Sequence, residues 1–92
     1  MKRIHVVVTG QVQGVGFRYF VLARAEDAGV KGWVRNLADD SVELVAEAEE
    51  SVLEAFLELV RDGPPTGHVN NLRVSWEKAT GEFRGFHIKP SA

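Results

Sequence analysis

Two segments of the chain carry apolar residues on one helical face only. Phe17, Val21, Leu22, Ala25 and Ala28 recur near a 3.6-residue period, and Val52, Ala55, Phe56, Leu59 and Val60 follow the i, i+3, i+4, i+7, i+8 pattern. A helix with one apolar stripe must bury it against one surface, so two such helices in a short chain call for a shared sheet. Gly29 stops the first helix as a left-handed C-terminal residue, and Gly63-Pro64-Pro65 forbids continuation of the second. Ser51 to Glu54 has the form of a capping box, which predicts that the second helix starts at Ser51.

The flanking segments read as strands. Ile4 to Thr9, with three consecutive valines at Val6, Val7 and Val8, suits a central strand buried on both faces. Lys31 to Leu37 and Val42 to Glu47 form a hairpin pair turning at Asp39-Asp40. Leu72, Val74 and Trp76 alternate with Arg73, Ser75 and Glu77, and a turn at Thr80-Gly81 precedes a short segment carrying Phe86 and Ile88. The order is βαββαβ plus an extra edge strand. Both helices should lie on one face of a mostly antiparallel sheet, which is an α+β two-layer sandwich of ferredoxin-like type.

Composition bounds the rest. At 92 residues the chain has room for one core, so residues 1–92 are expected to form a single domain. With 45% apolar residues and no Cys, that core must hold the fold without disulfides, and thiolate zinc sites and thiol nucleophiles are excluded. A formal net charge of -2 opposes broad attraction to nucleic acid or anionic lipid. The basic start at Lys2-Arg3 leads into an apolar run that Thr9 and Gln11 stop too early for a signal peptide, and nothing approaches the roughly 20 apolar residues of a membrane span. The expectation is a cytoplasmic monomer that handles a small molecule, not nucleic acid or membrane.

The chemistry concentrates in Gly10-Gln11-Val12-Gln13-Gly14-Val15-Gly16-Phe17-Arg18, which joins the first strand to the first helix. Three glycines let the backbone curl with its N–H groups inward, a nest for anions, and the helix N-terminus adds unsatisfied donors and partial positive charge. Arg18 supplies a planar cation whose paired N–H groups match two phosphate oxygens. The same residues also fit a plain glycine-rich turn with Arg18 in solvent. Against that, a cation in the first helical turn opposes the dipole by about 0.3 to 1 kcal/mol. Neither a Walker A loop nor a dinucleotide fingerprint fits, because Tyr19 stands where the latter needs glycine.

Thr9 to Arg18 resembles the first signature of the acylphosphatase family, and Gly32-Trp33-Val34-Arg35-Asn36, followed by Val42 before Glu43, resembles the second. The similarity extends over nearly the whole chain. It implies hydrolysis of an acyl phosphate to a carboxylate and inorganic phosphate. It also implies that Arg18 is the phosphate-binding arginine, that the N–H groups of Gln13, Gly14, Val15, Gly16, Phe17 and Arg18 form the cradle, and that Asn36 positions the attacking water. By composition alone Asn36 reads as a polar strand-end or turn residue. Asp40 and Ala48 depart from the family pattern, standing where glycines are expected, and positive φ at Asp40 would cost on the order of 1 kcal/mol relative to Gly.

Other chemistries find little support. His5, His68 and His87 are scattered without a ligand cluster, so no metal and no cofactor are expected. No serine sits in a nucleophile elbow, and Glu43, Glu47, Glu49 and Glu50 read as a solvated face and a helix start. Trp33 reads as a sheet-packing aromatic. Two rivals remain. Acylphosphatase-like domains also occur within a larger hydrogenase-maturation carbamoyltransferase, which the end at Ala92 and the lack of Cys disfavour. An RNA-binding βαββαβ domain would need stacking aromatics that the first strand lacks.

Overall fold

The computed structural model describes residues 1–92. Its elements are β1 (Lys2–Gln11), α1 (Phe17–Ala28), β2 (Lys31–Asn36), β3 (Val42–Ala48), α2 (Glu50–Asp62), β4 (His68–Lys78) and β5 (Phe86–Ile88). The sheet order is β4-β1-β3-β2-β5, with every neighbouring pair antiparallel except β2 and β5. This is the expected α+β sandwich, and β5 is the expected extra edge strand. Helix α1 packs over β2 and β5, and α2 over β1, β3 and β4.

One continuous core lies between the layers. Ile4, Val6 and Val8 of β1, Val42, Leu44 and Ala46 of β3, and Val34 of β2 meet Phe17, Val21 and Ala25 of α1 and Leu53, Phe56 and Val60 of α2. The three valines of β1 do not make it a strand buried on both faces, because burial alternates and Val7 is only half-buried. The helices cover one face of the sheet and leave the other to solvent, so even an interior antiparallel strand keeps the period of two.

Helix α2 corrects the sequence reading twice. It begins at Glu50 with Glu49 as N-cap and no side-chain cap, so the capping box at Ser51 does not form. Glu50 in the first turn supplies the charge that suits the dipole instead. The buried stripe is Leu53, Phe56, Leu57 and Val60, while Ala55 and Leu59 face solvent and Val52 is half-buried. Both stripes satisfy the same spacing and share Phe56 and Val60, so the sheet decides between them. Helix α1 ends as expected on Gly29 at φ 71°, although Ala28 at its end is exposed.

The polar face of the sheet is more ordered than a solvated surface. Glu47 is 1% exposed, accepts from Thr80 N at 2.9 Å and Gly81 N at 3.0 Å, and forms an ion pair with Arg3, whose Nε lies 2.9 Å away. Glu43 accepts from His5 Nε2 and Arg35 Nε, each at 2.7 Å. Register explains both sets, since Arg3 stands opposite Glu47 and Arg35 opposite Glu43. Trp33 on this face lies between Arg35, 5.0 Å from its ring centroid, and Lys89, 4.4 Å away.

Candidate active site

Antiparallel pairing gathers the sequence-singled residues at one end of the sheet. Val8 near the end of β1, Val42 at the start of β3 and Asn36 at the end of β2 form one cross-strand row. The loop after β1 therefore emerges beside the β2–β3 turn, and α1 begins where that loop ends.

The loop is pinned by its own sequence. Val12 and Phe17 are each 1% exposed and anchor its two ends in the core. Between them Gly14 and Gly16 adopt φ 75° and 76°, a left-handed backbone that a side chain disfavours. Gln13 Nε2 donates to Leu37 O and to Ser41 O, each at 2.8 Å, which ties the loop to the β2–β3 turn. Thr66 Oγ1 donates to Val15 O at 2.8 Å and fixes the opposite side.

This backbone leaves a run of donors without acceptors. None of the N–H groups from Gln13 to Tyr19 donates to a backbone or side-chain acceptor within the chain, and the first turn of α1 contains no acidic residue. Residues at the N-terminus of a helix always lack intrahelical acceptors, but here the nest extends the run backwards by a full loop. Arg18 lies in that first turn, half-buried, and makes no ion pair with any carboxylate of the protein. A cation left there against the dipole is stabilised by an anion in front of the loop.

Asn36 pairs through its backbone with Val42 and accepts from Ala92 N through its carbonyl at 3.0 Å. Its side-chain Oδ1 is buried without a hydrogen-bond partner, the only buried side-chain acceptor in that condition. An acceptor left so costs about 1 to 3 kcal/mol unless a donor such as water reaches it. No hydrogen bond links Asn36, at the end of β2, to Arg18, in the first turn of α1.

The turn between them has its own chemistry. Asp39 Oδ1 accepts from Ser41 N at 3.2 Å and from Ser41 Oγ. The hydroxyl hydrogen bond is the main cause that holds the Asp39 carboxyl below its ordinary pKa. Asp40 follows at φ 72°, the only non-glycine residue with positive φ. An open depression of about 330 Å³ is lined by Gly10, Gln11, Val12, Gln13, Val15 and Asp40. It adjoins the nest through Gln13 and Val15 but includes neither Arg18 nor Asn36.

Sequence reasoning singled out the loop, Arg18 and Asn36, yet it assigned Gln13 only a backbone donor. It placed the turn at Asp39-Asp40 but not the hydrogen bonds from Ser41 to the Asp39 carboxylate, whose signal is an Asp two residues before a serine. No group of three His, Asp or Glu side chains is placed to hold a metal ion.

The class defined here is a ferredoxin-like α+β sandwich whose first helix opens on a glycine-built loop of free N–H donors. Residues 4–88 match the family model described as Acylphosphatase, and the chain belongs to that family. It is 46% identical over 88 residues to an acylphosphatase from Salinibacter ruber, covering 96% of this chain and 93% of the other. A solved acylphosphatase from Bacillus subtilis superposes with a TM-score of 0.93 at 38% identity, covering 97% of this chain and 99% of that one. Full-length HypF, solved in a phosphate- and nucleotide-bound form, contains a similar region: TM-score 0.86 at 30% identity over 99% of this chain but 12% of that one.

Proposed function

We propose that this protein hydrolyses the carboxyl–phosphate anhydride bond of acyl phosphates, giving a carboxylate and inorganic phosphate, by in-line attack of water. The phosphoryl group sits against the N–H groups of Gln13, Gly14, Val15, Gly16, Phe17 and Arg18, with the Arg18 guanidinium on two of its oxygens. Asn36 holds the water. The observation that carries this reading is the unbroken run of N–H donors without acceptors leading into the N-terminus of α1.

The chemistry asks for little more. A carboxylate whose acid has a pKa of about 4 leaves without a proton from the protein, so no general acid is needed. Charge on the phosphoryl oxygens is met by fixed donors, each capable of roughly 2.7 to 4 kcal/mol if it matches oxyanion-hole donors. Fixed geometry supplies the rest. The Asn36 amide accepts from water through Oδ1 but cannot remove a proton at neutral pH, so a phosphoryl oxygen of the substrate takes the proton.

The reading places the protein in the cytoplasm, working as a monomer on a small molecule, without nucleic acid or metal. No helix is long and apolar enough to cross a membrane. The test is hydrolysis of benzoyl phosphate by the purified chain, followed by ultraviolet absorbance, with and without a chelator. Turnover that the chelator leaves intact is the expected result. Phosphate binding without turnover would make this a binding module, and loss of rate restored by added metal would overturn the metal-free step.

A further inference from the structure

Building on that reading, we propose that the depression beside the nest receives the acyl group of the substrate. Asp40 there sets a charge preference, favouring neutral or cationic acyl groups over anionic, dicarboxylic ones. Three observations lead to it. Of the open depressions on the chain, this is the one that shares residues with the donor run, namely Gln13 and Val15. A phosphate held by those N–H groups would therefore have this depression beside it. Its lining does not include Asn36. In-line displacement requires the attacking water and the departing carboxylate on opposite sides of phosphorus, so the side away from the water-holding residue is the leaving-group side.

The third observation concerns charge. Asp40 is exposed, lines the depression, and makes no side-chain hydrogen bond or ion pair. Its neighbour Asp39 commits its carboxylate to Ser41 and lies outside the lining. Val12 and Val15 offer the acyl chain apolar surface, while no cationic side chain lines the depression to balance Asp40. A second carboxylate on the acyl group would meet an unneutralised negative charge at short range, partly screened by solvent.

The experiment compares kcat/KM for benzoyl phosphate, whose acyl group is neutral, with succinyl phosphate, whose acyl group is anionic. Both carry the same phosphoryl charge, so their ratio isolates the acyl end. Asp40→Asn and Asp40→Gly should each raise the succinyl-to-benzoyl ratio by roughly two- to fivefold, with the rise shrinking in high salt. Glycine suits φ 72° and secures the fold of the second variant. Asp39→Asn, which keeps the acceptor for Ser41, should leave the ratio where it is. An unchanged ratio in both Asp40 variants, or an equal rise with Asp39→Asn, would overturn the assignment. Failure of the wild-type chain to hydrolyse either compound is a separate result and defeats the functional reading on which this rests.

Discussion

At the scale of single residues, the proposed mechanism divides the work between Arg18 and Asn36 by chemistry. On that proposal the guanidinium contributes charge and a two-pronged grip that serve the bound phosphate and the transition state alike, so Arg18→Ala should lower kcat/KM by roughly a hundredfold or more. Arg18→Lys keeps the charge but loses the planar fork and should recover only part of it. Asn36 is proposed to act on the water, which matters only once substrate is bound, so Asn36→Ala should lower kcat by a similar factor and leave KM nearly unchanged. Steady-state kinetics on benzoyl phosphate separates the two, and a mainly KM effect at Asn36 would remove it from the water-holding role. In the sequence, the role proposed for Arg18 rests on its place after the glycines and that for Asn36 only on the family signature. The lone buried Oδ1 adds a physical reason for Asn36 that composition lacked. Gly16 makes a third case. At φ 76° with open space around it, an added methyl meets no atom, so Gly16→Ala acts through the backbone alone. It should cost on the order of 1 kcal/mol in stability by denaturant unfolding.

Elements show where sequence runs out. Strand and helix order, the hairpin and the C-terminal glycine of α1 follow from period and turn chemistry, which act locally. The rotation of α2 about its axis does not, because two neighbouring stripes fit one spacing and only the sheet beneath selects Leu53 and Leu57 over Ala55 and Leu59. Leu53→Ala should therefore destabilise by about 2 to 5 kcal/mol, the range for a fully buried leucine. Leu59→Ala should stay within about 0.5 kcal/mol, as exposed substitutions do. Equal costs in denaturant melts would restore the original stripe. The tie between the β1–α1 loop and the β2–β3 turn is equally invisible in a linear reading, since Gln13 meets Leu37 and Ser41 only after β1, β3 and β2 have paired. Gln13→Ala removes two hydrogen bonds worth about 0.5 to 1.5 kcal/mol each. It should also lower kcat about tenfold or more through loss of fixed geometry, even where stability is restored by low temperature. A variant with the expected stability loss and an unaltered kcat would show that the loop keeps its shape without this tie.

For the whole molecule, the buried acids on the open side of the sheet set the response to pH. Burial by itself would raise the pKa of Glu47, but the N–H groups of Thr80 and Gly81, the Thr80 hydroxyl and the Arg3 charge outweigh it and hold the group below its ordinary value. Glu43 behaves alike: burial opposes ionisation, and the hydrogen bonds from His5 and Arg35 with the Arg35 charge prevail. A carboxyl lowered in the fold binds protons less readily than in the unfolded chain, so acid favours unfolding. The stabilisation is complete above the ordinary value of about 4.5 and is lost as pH falls through the lower folded values. Glu47 ties β3 to the segment carrying Thr80 and Gly81 as well as to Arg3, so its protonation loosens contacts that reach from β1 to the approach to β5. Denaturant midpoints measured from pH 7 to pH 3 should hold level above about 4.5 and then drop. Glu47→Gln should begin lower at pH 7, because an amide has one acceptor oxygen for Thr80 and Gly81 and no charge to pair with Arg3, and it should lose less over the acid range. An acid limb of unaltered steepness in Glu47→Gln would mean that this carboxylate is not among the groups whose protonation unfolds the chain.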